Sequence, residues 1–128
     1  MKTLIHIIPT LENGGAETVL SRLVEEFSGK GIEQFVITSQ GTTKDFHYAS
    51  INEYATVLHW KTNPEEVEQL ILQNLQTPIV AWMYPAILLV HKLKHRLKTD
   101  NPIFWNIRHS SFRWNQIYQK LALFIFGF

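Results

Sequence analysis

The sequence predicts an α/β domain with a Rossmann-like, doubly wound parallel sheet. Two observations lead to this fold class: short β-rich apolar segments alternate with stretches of helical periodicity, and turn-forming residues separate them. The predicted strands cover residues 4–8, 35–38, 55–60, 78–82 and 103–107. Because helical segments lie between most of these strands, right-handed crossovers and a parallel arrangement are expected. Such sheets bind ligands beyond the carboxyl ends of their strands, so the segments after Ile8, Ala81 and Ile107 are where a site is expected.

The first half of the chain reads as strand, turn and amphipathic helix. Residues 4–8 are nearly all aliphatic, which is typical of a strand that is covered on both faces, and Pro9 ends it. Gly29 and Gly31 supply the end of the following helix. The buried stripe of that helix is predicted to consist of Leu20, Leu23, Val24 and Phe27. A polar loop with irregular structure around Phe46 and Tyr48 is predicted between the second and third strands.

The second half repeats the alternation. Asn63 is a predicted N-cap, Pro64 follows at the first helical position, and Glu66 is expected to reach back to the helix start. The stripe of this helix is predicted to be Val67, Leu70, Ile71 and Leu75. Residues 85–98 form the next predicted helix, and an apolar helix is predicted at about 114–126.

Composition excludes several classes of protein. A chain of 128 residues with 45% hydrophobic and 18% charged residues fits one globular domain, residues 1–128. Its formal charge of +1 argues against nucleic acid as a partner. Without cysteine there is neither a disulfide framework nor a thiolate site. The amino terminus does not read as a signal peptide, and no apolar run is long enough to span a bilayer, so a cytoplasmic protein, peripheral at most to a membrane, is expected.

A pair of glycines stands between the first strand and the first helix. Gly14 and Gly15 would let a ligand approach the backbone, and the start of the helix offers N–H groups to an anion such as a phosphate. A tight turn without a ligand explains the same two glycines equally well. Neither G-x-G-x-x-G nor G-x-x-x-x-G-K-[ST] is present, so the turn supports neither a nicotinamide site nor an ATP site.

The segment around these glycines has a family resemblance. Residues 7–17, Ile-Ile-Pro-Thr-Leu-Glu-Asn-Gly-Gly-Ala-Glu, closely resemble the opening of family-four glycosyltransferases, the retaining enzymes of two-domain GT-B fold. Residues 81–84, Ala-Trp-Met-Tyr, and residues 103–110, Ile-Phe-Trp-Asn-Ile-Arg-His-Ser, look like the fourth and fifth strand ends of members that make bacterial surface polysaccharides. The resemblance spans nearly the whole chain.

The resemblance implies an acceptor-side, N-terminal GT-B half whose partners are a nucleoside-diphosphate sugar and a glycan or lipid-linked acceptor. It places Gly14 and Gly15 near the donor diphosphate, with Glu17 at the helix start. His109 would lie near the reacting sugar as the catalytic residue, although Ser110 stands where many members have aspartate. The resemblance further implies binding roles for two side chains, namely Arg108 and Tyr84.

The donor-binding half is expected to be missing from this chain, so that residues 1–128 alone would have little or no transferase activity. The scheme requires neither a metal nor another cofactor, because helix amino termini and basic side chains can take the leaving charge. A non-catalytic binding subunit is the alternative. The apolar helix at 114–126 is expected to support packing on further protein or self-association.

Two features of the helix at 85–98 are weaker signals. His91 and His95 are spaced to chelate a metal, but no third ligand is evident. The basic residues of its last turns could contact anionic headgroups at the inner membrane surface, although a solvated helix face explains them too. These residues are Lys92, Lys94, His95, Arg96 and Lys98.

Overall fold

The aliphatic first strand lies at the centre of a five-stranded parallel sheet. A computed structural model describes residues 2–106 of the chain. The strands are β1 (Thr3–Ile8), β2 (Glu33–Thr38), β3 (Thr56–His59), β4 (Ile79–Trp82) and β5 (Ile103–Asn106). Their order across the sheet is β3-β2-β1-β4-β5, and every adjacent pair is parallel. The predicted α/β, doubly wound, Rossmann-like architecture is therefore confirmed.

Helices cover both faces of this sheet. They are α1 (Gly15–Gly29), α2 (Tyr48–Asn52), α3 (Pro64–Leu72) and α4 (Met83–Leu97). Alternate side chains of β1 point to opposite faces, so that Leu4 and Ile8 pack with α1 and α2, whereas Ile5 and Ile7 pack with α3 and α4. We call these the α1 face and the α3 face. Two apolar layers thus hold the helices on the sheet.

Helix α1 forms as the sequence predicts. Its buried residues include the whole predicted stripe, Leu20, Leu23, Val24 and Phe27, together with Ala16. Lys30 follows the last helical residue, and Gly31 then takes a left-handed backbone conformation with φ of 79°. A residue with a side chain is strained in that conformation, so Gly31 ends the helix at little cost.

Helix α3 begins as predicted but differs in two details. Asn63 is the N-cap residue and Pro64 the first helical residue, yet no side-chain hydrogen bond caps the helix. The Glu66 carboxylate accepts a 3.4 Å hydrogen bond from the Asn63 side-chain amide instead. The prediction that Leu75 is buried was wrong, because the helix ends at Leu72 and Leu75 is 48% exposed.

Helix α4 begins at Met83, two residues before the predicted start, and ends at Leu97. Within residues 2–106, no helix is long and apolar enough to cross a membrane. The predicted helix at 114–126 and the last residue of the predicted fifth strand, Ile107, lie outside the described residues.

Candidate functional site

The topology creates a crevice between the carboxyl ends of β1 and β4. These two strands are neighbours, but the chain leaves β1 through α1 and leaves β4 through α4, on opposite faces of the sheet. In open α/β sheets the point where the winding reverses is the usual place for a ligand. The Gly14 turn and the start of α4 flank this crevice.

The backbone of the Gly14 turn does not itself require glycine. Gly14 is the N-cap residue of α1 with φ of −145° and ψ of 175°, an extended conformation that any residue adopts. Its carbonyl oxygen accepts hydrogen bonds from the Thr18 backbone N–H at 3.0 Å and from the Thr18 hydroxyl at 2.8 Å. No side chain caps the helix at this position. Of the two interpretations of the glycine pair, close approach to the backbone is therefore favoured over a constrained turn.

The space beside Gly14 is taken by the carboxylate of Glu17. A Cβ atom at position 14 would lie 2.6 Å from Glu17 Oε1 and 3.2 Å from its Cδ. Glu17 is the acidic residue of the first helical turn, where a negative charge is favourable to the helix dipole. Because the same charge repels a phosphate, an anion that reaches Gly14 has to displace the Glu17 side chain.

A substitution pair separates this glycine from Gly41. At Gly14, an alanine Cβ meets only the flexible end of Glu17, whereas at Gly41 it would lie 2.6 Å from Thr38 Oγ1 and 3.0 Å from Asp45 Oδ2. Both of those oxygens are held by hydrogen bonds. We expect Gly41→Ala to lower the free energy of unfolding by about 1–3 kcal/mol and Gly14→Ala by less than about 0.5 kcal/mol, measured by urea denaturation. Equal losses in the two variants would contradict this picture.

The loop after β2 is fastened to the Gly14 turn. The Asp45 carboxylate accepts a 3.0 Å hydrogen bond from the Leu11 backbone N–H, and the His47 backbone N–H donates to the Leu11 carbonyl at 2.7 Å. The His47 ring reaches the first turn of α1, with Nε2 3.4 Å from Thr18 Oγ1. Since that hydroxyl donates to Gly14, the ring nitrogen is the donor to Thr18. Sequence reasoning missed His47, because nothing in its neighbourhood announces this contact.

A second histidine lies at the end of β3. His59 Nδ1 is 2.6 Å from Thr38 Oγ1, and the Gly41 backbone N–H donates to the same oxygen at 3.1 Å. Tyr48 stacks on the imidazole with ring centroids 5.9 Å apart. Burial lowers the pKa of His59, and the Asp45 carboxylate opposes that shift only in part. His59 is therefore a neutral, packed residue at neutral pH.

A buried polar chain supports the β4 side of the crevice. Trp82 Nε1–H donates to His6 Nδ1 at 3.2 Å, so His6 Nε2 carries the proton and donates to Gln34 Oε1 at 3.0 Å. The Gln34 amide in turn donates to the Val24 carbonyl at 2.8 Å. Burial lowers the pKa of His6 to about 4, and the hydrogen bond to Gln34 offsets only part of that shift. The one visible sequence signal was a histidine inside an aliphatic strand.

The turn that follows Trp82 is strained. Met83 has φ of 73°, a left-handed conformation that costs a residue with a side chain about 1–3 kcal/mol. Tyr84, in the first turn of α4, is 63% exposed. The structure therefore brings Gly14, Gly15, Glu17 and Tyr84 to one edge of the sheet, on neighbouring strand ends. Arg108 and His109 lie outside the described residues.

The two helical histidines have other surroundings than a metal. The His91 ring meets Trp105 edge-on with centroids 5.6 Å apart. Among residues 2–106, no group of three or more histidine, aspartate or glutamate side chains is placed to hold a metal ion.

Comparison of the chain with protein-family models, curated proteins and solved structures gives no match. The class of protein that the fold defines is a Rossmann-like α/β domain with its crevice between β1 and β4.

Proposed function

We propose that this chain forms the acceptor-side domain of a retaining glycosyltransferase of GT-B fold. One observation carries the proposal: α1 begins without a side-chain cap at Gly14-Gly15, at the carboxyl end of β1 and beside β4. That is where a doubly wound sheet offers backbone N–H groups to a phosphate. The motif resemblance of residues 7–17, 81–84 and 103–110 adds the reaction class.

In this proposal the reaction joins an acceptor hydroxyl oxygen to the anomeric carbon of the donor sugar. The bond between that carbon and the diphosphate oxygen breaks, and the hydroxyl proton leaves with the nucleoside diphosphate, with retention of configuration at carbon. The acceptor is a polysaccharide, lipopolysaccharide or glycolipid hydroxyl. A second domain binds most of the nucleotide sugar and closes on the crevice, since holding both reactants in position supplies much of the rate.

The roles of the residues follow from their places. The amides of Gly14 and Gly15 face the diphosphate, where they stabilise the charge that develops on the leaving group. Tyr84 presents an exposed ring on the neighbouring strand end, suited to an acceptor sugar. His109 is the proposed catalytic residue, since an imidazole can donate to a sugar hydroxyl or to a leaving phosphate oxygen. Arg108 is a proposed phosphate contact because its guanidinium forms a planar fork.

Titration of the ¹⁵N-labelled chain with inorganic pyrophosphate, nucleoside diphosphates and nucleoside-diphosphate sugars tests the proposal. We expect amide resonances of residues 14–18 to shift at millimolar ligand. Glu17→Gln should strengthen binding by about threefold, because it removes the carboxylate beside Gly14. Gly14→Val should abolish the shifts. Glu26→Gln, which removes an exposed carboxylate near the other end of α1, is the matched control.

Pyrophosphate that leaves these resonances unchanged, or a Glu17→Gln variant that binds no better than Glu26→Gln, would contradict a phosphate site at this turn. Substantial sugar transfer by the purified chain alone would contradict the assignment of donor binding to a second domain.

A non-catalytic binding domain is the second candidate, and an exposed patch on α4 favours it. Tyr84, Leu88 and Trp105 are 63%, 72% and 57% exposed. Lys92, His95 and Lys98 continue the exposed side of the helix, whereas Arg96 pairs with Glu68 at 3.1 Å. Apolar and basic side chains on one helix suit an anionic membrane surface. In the titration above, anionic vesicles that perturb only this patch, with no response to diphosphates, would favour the binding domain.

A further inference from the structure

A groove runs between α3 and the edge of the sheet, away from the crevice. It has a volume of about 610 Å³, and its apolar lining comes from Phe35 on β2, Leu58 on β3 and Leu70 on α3. Thr56 and Leu58 line it because alternate residues of β3 face α3. The groove is within the volume range of ligand sites.

One wall of this groove is a strand edge. β3 pairs with β2 and with no other strand in the described part of the chain. The Trp60 backbone N–H donates to the Thr38 carbonyl at 2.8 Å, and Thr38 lies opposite His59. In a parallel ladder this arrangement turns the N–H and C=O groups of Val57 outward, away from β2. Val57 can therefore form a pair of backbone hydrogen bonds with an added strand.

The charges around the groove select its occupant. Its rim carries three exposed glutamates, Glu33, Glu65 and Glu66. The other polar lining residues are neutral: Thr56, Gln69, Gln73 and Asn74. No lysine, arginine or histidine lines the groove, so its electrostatic complement is a cationic segment.

We propose that this groove binds an extended basic peptide segment of a partner protein, which adds a strand to β3. The peptide backbone pairs with Val57, alternate apolar side chains rest on Phe35, Leu58 and Leu70, and basic side chains lie near the glutamates. Binding between an edge strand and an adjacent helix is a recurrent mode of peptide recognition, in which the backbone pairing supplies affinity and the side-chain groove supplies specificity. The site is independent of the crevice between β1 and β4.

The test uses a fluorescein-labelled peptide of about nine residues, alternating arginine and valine, which is long enough to span a strand. Fluorescence anisotropy with the purified chain gives the affinity, and ¹⁵N spectra locate the contact. We expect shifts at Val57, Leu58 and Glu66. Replacing arginine by glutamate in the peptide should abolish binding. Methylation of alternate peptide nitrogens should weaken binding by about tenfold, because it removes backbone donors.

The protein variant is the double substitution Glu65→Gln and Glu66→Gln, at two exposed positions. It should weaken the basic peptide by about fivefold. The matched control, Glu12→Gln with Glu26→Gln, removes the same charge elsewhere and should change affinity by less than about twofold.

Equal weakening by both pairs of substitutions would overturn the groove as the site. Equal binding of the methylated peptide would overturn strand addition. Self-association that is seen by sedimentation and lost in the Glu65→Gln, Glu66→Gln variant, without peptide binding, would assign the groove to a second copy of the chain and overturn the proposed partner.

Discussion

Trp82→Ala should remove much of the stability of the domain. The indole is fully buried on the α1 face, and its Nε1–H donates to His6. Truncating a buried tryptophan to alanine costs about 3–5 kcal/mol, and an acceptor left without its donor adds about 1–3 kcal/mol. Since domains of this kind unfold with about 5–15 kcal/mol, the variant should be near or beyond the limit of folding, as urea denaturation followed by circular dichroism would show.

Trp82→Phe is the matched control for this substitution. It keeps a ring in the core but removes the donor to His6, so it should cost clearly less, about 1–3 kcal/mol. A double-mutant cycle with His6→Leu isolates the hydrogen bond from the packing. If Trp82→Ala and Trp82→Phe were equally destabilising, packing of the indole would not be the main contribution.

Acid should destabilise the folded domain between pH 6.5 and about 4, through His6. The pKa of His6 is lowered from 6.5 to about 4 in the folded state, so the unfolded chain binds more protons across this window. Stability therefore rises with pH through the window and is lost as the pH falls. The loss from His6 amounts to about 3 kcal/mol at pH 4, and His59, whose pKa is also lowered, adds a contribution of the same sign.

Urea denaturation at a series of pH values measures this dependence. The informative variant replaces the network with apolar side chains together, as His6→Leu, Gln34→Leu and Trp82→Phe, so that no buried partner is left unsatisfied. It should keep only the shallower slope that comes from the remaining titratable groups. A slope equal to that of the unmodified chain, or a resonance of His6 that titrates near its ordinary pKa, would show that burial of this imidazole is not the cause.

Local periodicity was sufficient to predict most of the fold. The stripe from Leu20 to Phe27 repeats at helical spacing and requires no knowledge of distant residues. Leu75 continued the pattern of α3 in the sequence, but the helix stops at Leu72. A pattern of apolar residues cannot show where packing ceases to support a helix, which is why helix ends are less predictable than helix cores.

The candidate site was predictable only in part. Gly14 and Gly15 stand out because glycines between a strand and a helix have few uses, whereas the approach of Glu17 to Gly14 depends on a rotamer. The contacts of Asp45 and His47 with the Gly14 turn join loops that are far apart in sequence. Likewise, His6 and Trp82 are 76 positions apart, so their hydrogen bond follows from the order of the strands and not from either local segment.

The position of His6 has a consequence for how the central strand can pair. A shift of β1 by one residue would move His6 from the α1 face to the α3 face, among the aliphatic side chains of α3 and α4. There its ring would lack Trp82 and Gln34, and a buried imidazole without partners is costly. A strand made only of leucine and isoleucine would tolerate either alignment, so this one histidine distinguishes the correct alignment of the sheet from its nearest misfolded alternative.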